Sequence, residues 1–110
     1  MATKQSTVDF ITDQIQAAGA IRSRKMFGEY ALYCDEKVVA LVCDDTLFVK
    51  ITEAGSKILT DPVEGFAYQG AKPSFQIDEE LLENPELLIE LIRATADELP
   101  LPKPKKKKSS

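Results

Sequence analysis

YALYCDEKVVALVCDDTLFVKIT, running from Tyr30 to Thr52, decides the fold. Tyr30, Leu32 and Cys34 alternate with Ala31 and Tyr33, the period of two that places successive side chains on opposite faces of a strand. After Asp35–Lys37 comes VVALVC (38–43), apolar at every position. That pattern suits a central strand covered on both faces or lying at an interface. Asp44, Asp45 and Thr46 make a second break, and LFVKIT (47–52) reads as a third strand. Connections this short join antiparallel neighbours. The stretch is therefore a meander, and its first strand starts at Met26.

Reading outward, Ser6 and Asp9 have the spacing of a capping box with aspartate in the glutamate position. Val8, Ile11, Ile15 and Ala18 follow at helical spacing, and Gly19 sits where a helix C′ glycine belongs, which predicts a helix over 6–18. Downstream, EAGSKIL (53–59) reads as a short helix ended before Pro62. Strands are expected at 64–69 and 73–77 around Gly70–Lys72, and DEELLEN can form one helical turn. Asn84 is a cap with Pro85 at the first helical position. Leu88, Leu91, Ile92, Thr95 and Leu99 then keep one face mostly apolar, predicting a helix over 85–98. The expected fold is α+β, a two-layer α/β sandwich with a five-stranded antiparallel sheet in the order α-β-β-β-α-β-β-α. It occupies residues 1–99, and the Pro/Lys-rich stretch 100–110 reads as a disordered tail.

Composition bounds the chemistry. A chain of 110 residues that is 44% hydrophobic and 29% charged can bury a core without staples. No apolar run is long enough to span a bilayer and MATKQSTVDF lacks a signal peptide's apolar region, so the expectation is cytoplasmic with no membrane partner. The net charge of −4 hides an asymmetry. Five of the 14 basic residues (Lys103, Lys105, Lys106, Lys107 and Lys108) lie in the tail, and no acid lies beyond Glu98. Residues 1–102 thus carry nine bases against 18 acids, a net of −9. The acidic body repels nucleic acid and the tail attracts it.

With no histidine, the commonest general base and metal ligand are missing. Two cysteines are too few for a cysteine-only zinc site. With the first turn centred on Glu36, Cys34 and Cys43 lie roughly 17 Å apart along the strands. A disulfide needs Cα atoms within about 7 Å, so two free thiols are expected. The Asp44-Asp45 pair could offer oxygens to a hard cation, but nothing in the spacing adds further ligands, and aspartate favours turns for its own backbone-bonding reasons. The glycines form neither a dinucleotide fingerprint nor a P-loop. Neither an enzymatic constellation nor a cofactor site is expected. Arg22, Arg24 and Lys25 beside Phe27 and Tyr30 read either as a solvated loop entering the first strand or as a basic-aromatic surface.

Lys25-Met26-Phe27-Gly28, Tyr30, Leu32-Tyr33, Ala40-Leu41-Val42 and Asp44–Lys50 together resemble the N-terminal domain of the TfoX/Sxy family, which includes regulators of bacterial natural competence. Phe66-Ala67-Tyr68 and LLENPELL (81–88) resemble its closing strands and helix, so the resemblance covers roughly residues 8–99. It implies a two-layer α/β fold and bacterial origin, but no reaction. Full-length competence regulators carry a second, C-terminal domain where this sequence runs into its lysine tail, so roles of that domain are not implied. Met26-Phe27-Gly28 reads as structural, with Gly28 permitting close approach or a bulge.

The leading functional expectation is a non-enzymatic regulatory module that acts by protein–protein contact, in competence or transcription. Its partner surface would comprise Arg22, Arg24, Lys25, Phe27, Tyr30 and Tyr33, and a homodimer is a further expectation. The first alternative is weak, nonspecific nucleic-acid association through Lys103, Lys105, Lys106, Lys107 and Lys108. The second is a small enzyme with a carboxylate or lysine site.

Overall fold

A computed structural model describes residues 3–26 and 29–99. In it, both breaks in the meander are two-residue turns. Asp35 and Glu36 have φ of 52° and 72°, and Asp44 and Asp45 have 53° and 59°. Left-handed φ at both central residues is what a type I′ hairpin turn requires. The turns join β2 (Glu29–Cys34), β3 (Lys37–Cys43) and β4 (Thr46–Lys50). Cys34 faces Lys37 and Tyr33 faces Val38 across the first turn, while Leu32 faces Ala40. Val39 is therefore an extra residue, a β-bulge in β3. The turn centres between Asp35 and Glu36 rather than on Glu36, and the bulge has no counterpart in the hydrophobic pattern.

The sheet has six strands, not five. The addition is β1 (Ile21–Met26), which pairs antiparallel with β2 from Ile21↔Cys34 to Met26↔Glu29. The first strand expected over 26–34 is thus replaced by β2, which starts at Glu29, while Met26 ends a separate antiparallel strand. A strand IRSRKM escapes a hydrophobic-pattern reading because it is a sheet edge with only Ile21 partly buried. Basic residues are common on such edges because they discourage further pairing. The remaining strands are β5 (Val63–Phe66) and β6 (Pro73–Ile77), giving the order β1-β2-β3-β4-β6-β5. β5 is shorter than its expected 64–69, and residues 67–72 connect the two strands.

All the helices contribute to one core on one side of the sheet. Val8, Ile11 and Ile15 come from α1 (Gln5–Gln14) and its continuation, which ends in a 3₁₀ turn (Gln16–Ala18) rather than running unbroken over 6–18. Leu88, Leu91, Ile92 and Ala96 come from α4 (Pro85–Glu98), which matches its expected span. These meet Tyr30, Leu32 and Cys34 of β2, Val39, Ala40 and Val42 of β3, Leu47 and Val49 of β4, and Phe75 and Ile77 of β6. Two layers result, as expected.

The helix ends are satisfied partly by distant residues. Asn84 caps α4 by accepting Leu87 N–H at 3.2 Å, and Asp78 caps α3 (Glu79–Leu82) by accepting Leu81 N–H at 2.9 Å. Thr52 caps α2 (Glu53–Ile58) in the same way. No capping box forms at Ser6. Instead α1 begins one residue earlier, and Asp45 of the β3–β4 turn accepts the N–H of Lys4 at 2.9 Å and the hydroxyl of Thr7 at 3.0 Å. Lys37 Nζ donates to Ala96 O at 2.6 Å, placing a cation at the C-terminal turn of α4, which has none of its own.

Candidate protein-docking face

With the helices on one side, alternate strand residues point away from the core. Ala31 and Tyr33 of β2 have Arg24 and Arg22 opposite them on one side and Leu41 and Val38 on the other. Leu41 in turn faces Phe48 of β4, and Phe48 faces Gln76 of β6. Because β3 is apolar at both parities, this second face has an apolar centre that no helix covers. Beyond β4, a Cβ at Gly65 would collide with Gln76 Oε1 and lie 3.3 Å from Phe48 Cε1, so the glycine leaves room for both side chains.

The 67–72 connection divides the face into two hollows. One, of about 460 Å³, is lined by Met26, Glu29, Tyr30, Leu41, Cys43, Ala67 and Tyr68. The other, of about 600 Å³, is lined by Val38, Leu41, Phe48, Lys50, Ile51, residues 67–68 and 70–74, and Leu99. Leu41, Ala67 and Tyr68 belong to both. Tyr68 remains 59% exposed and Met26 40%, so large apolar side chains stay wet in an arrangement that could bury them against a partner.

The charge on this face is mostly positive. Arg22 lies 4.3 Å above the Tyr33 ring and 3.4 Å from Glu36, in an exposed pair worth little by itself. Arg24 shares the row, and Lys50 and Lys72 line the second hollow. Glu29 is already engaged: it accepts the N–H of Asp44 at 3.1 Å and the hydroxyl of Thr3. At the rim, burial raises the Cys43 thiol's pKa above its ordinary value, with the Glu29 and Asp44 charges adding to the effect.

Of the residues expected to form a partner surface, the structure brings Arg22, Arg24 and Tyr33 together on this face. Tyr30 departs from the expectation. It is buried on the helical side, where its hydroxyl donates to Gln5 Oε1 at 2.8 Å. Lys25 pairs opposite Tyr30 and shares that parity. Phe27, Lys103, Lys105, Lys106, Lys107 and Lys108 lie outside the described residues. Leu41, Phe48 and Tyr68 join the site only in the folded chain. Their signal was the doubly apolar 38–43 stretch, but which of its residues face outward depends on the bulge at Val39.

The thiols of Cys34 and Cys43 are free and buried, one in the core and one on the open face. Asp44 and Asp45 serve the turn and the α1 cap. Among the described residues, no three His, Cys, Asp or Glu side chains converge as a metal site would require, and no helix is long and apolar enough to cross a membrane.

Fold and face together define an α+β domain with a one-sided helical layer and an apolar, cation-rimmed sheet surface that the 67–72 connection covers only in part. The chain belongs to the TfoX N-terminal domain family, which it matches over residues 13–99. It is also similar to the uncharacterized 12.7 kDa protein in the trpE 5′ region of Spirochaeta aurantia, with 43% identity over 109 residues, covering 99% of this chain and 94% of that one.

Proposed function

We propose that this domain is a non-enzymatic regulatory module that binds another protein through the open face of its sheet, with bacterial competence or transcription control as its setting. The observation that carries the reading is β3. Its Val38 and Leu41 turn away from the helical core and stay half-buried, and with the exposed Tyr68 they line an apolar hollow that no helix of the domain covers. Membership of the TfoX N-terminal domain family supports the regulatory setting.

The test is affinity capture from the native bacterium with the intact protein and a Leu41→Glu variant, after confirming that both melt at similar temperatures. One stoichiometric protein, retained by the parent and lost by the variant, is the expected result. Recovery that disappears on nuclease treatment would replace the reading with nucleic-acid association through the lysine run.

A further inference from the structure

We infer that the open face binds an acidic amphipathic helix of its partner, a narrowing that rests on the interaction-module reading above. Layer architecture supplies the shape. An apolar sheet face is covered in folded domains by a second sheet or by helices, and here the helices all lie on one side while only the 67–72 connection crosses the other.

Charge supplies the chemistry. The apolar centre is rimmed by Arg22 and Arg24 at one end and by Lys50 and Lys72 at the other. Among the described residues, Arg24, Lys50 and Lys72 have no ion-pair partner. The helical layer is the opposite: α4 alone carries Glu86, Glu90, Asp97 and Glu98 against the single cation Arg93. Set against Glu29, which lines the first hollow, and Glu36, which pairs with Arg22, the four rim cations leave the sheet face positive in a body of net charge −9.

A helix with leucines along one stripe and glutamates on its flanks matches both features. A second copy docked face to face would set the same cations against one another. Nucleic acid would meet the apolar floor and the field of the acidic body.

The test uses fluorescence anisotropy of a labelled synthetic peptide of roughly four helical turns, with leucines on one face and glutamates on both flanks. A twin with lysines in place of glutamates is the control. Saturable one-to-one binding of the glutamate peptide to the full chain is expected, at least about tenfold tighter than the lysine twin. Arg22→Glu with Arg24→Glu should weaken it by about tenfold, while Lys4→Glu with Lys57→Glu on the helical side should change it by less than about twofold. If the arginine double variant does not fold, Lys50→Glu with Lys72→Glu gives the same readout.

Equal binding of the two peptides, or no saturation by about 1 mM, would overturn the inference. So would displacement of the peptide by duplex DNA, or self-association that buries the face. Failure of the broader reading is distinguishable. A natural partner lost on Leu41→Glu but indifferent to every charge reversal would refute the acidic helix and keep the docking face. No dependence of capture on Leu41 would remove both.

Discussion

Asp45 Oδ1 accepts the backbone N–H of Lys4 at 2.9 Å, so the turn between β3 and β4 caps a helix 41 positions away in the chain. At the other end of the domain, the Glu98 carboxylate accepts the N–H groups of Glu53 and Ala54, both at 3.0 Å, and caps α2 from the last turn of α4. Each carboxylate joins two elements that share no local sequence.

These caps make stability depend on acid. The Lys4 N–H, then the Thr7 hydroxyl, lower the Asp45 pKa, and the Ala54 and Glu53 N–H groups lower that of Glu98. A carboxylate held below its unfolded value contributes stability that is complete above the unfolded pKa and lost as pH falls through the folded one. The melting temperature should therefore be flat between about pH 7 and 5 and fall below about pH 4. Glu98→Gln and Asp45→Ala should each lower it by a few degrees at pH 7 and flatten the acid limb. Melts followed by circular dichroism across that range check both effects.

Glu36 sits at φ 72° in the β2–β3 turn, a conformation that disfavours a side chain with a Cβ. Glu36→Gly should stabilise the domain by about 1 kcal/mol, despite losing the exposed contact with Arg22. Urea unfolding measures it. A loss of stability would mean that the Arg22–Glu36 pair outweighs the backbone strain.

Gly55 lies within α2, where alanine is ordinarily the better residue. Here a Cβ would lie 2.9 Å from Thr52 Oγ1, the capping atom, and 3.1 Å from both Leu91 Cδ1 and Phe75 Cε2. Leu91 and Phe75 are packed in the core and cannot yield freely. Gly55→Ala should therefore destabilise by about 1–3 kcal/mol, the usual range for overpacking. Denaturant midpoints at unchanged slope would show it.

Cys34 is fully buried in the core, whereas Cys43 lines the hollow on the open face. Burial raises the pKa of both thiols. A chromogenic disulfide reagent near pH 8 should label both slowly in the native protein, Cys43 ahead of Cys34, and both at once after unfolding. Occupation of the open face by a partner should slow Cys43 and leave Cys34 unchanged. The reverse order would contradict the placement of these strands.

Local chemistry alone determined much of this protein. The alternation from Tyr30 to Cys34, the apolar run 38–43 and the short breaks between strands specified the meander, and Asn84-Pro85 with its apolar stripe specified α4 to the residue. These signals are legible because each is completed within a few positions of the chain. Other features required the folded chain. IRSRKM became a strand only because β2 offered it a partner; as an exposed edge it needed no apolar residues to announce it. The bulge at Val39 arose from pairing between β2 and β3, and it decided that Val38 and Leu41 face outward. Asp45 found Lys4, and Glu98 found Ala54, only after the sheet and helices had assembled. The docking face belongs to this second group: it exists because every helix packs on the same side, a choice of layer that no single segment encodes.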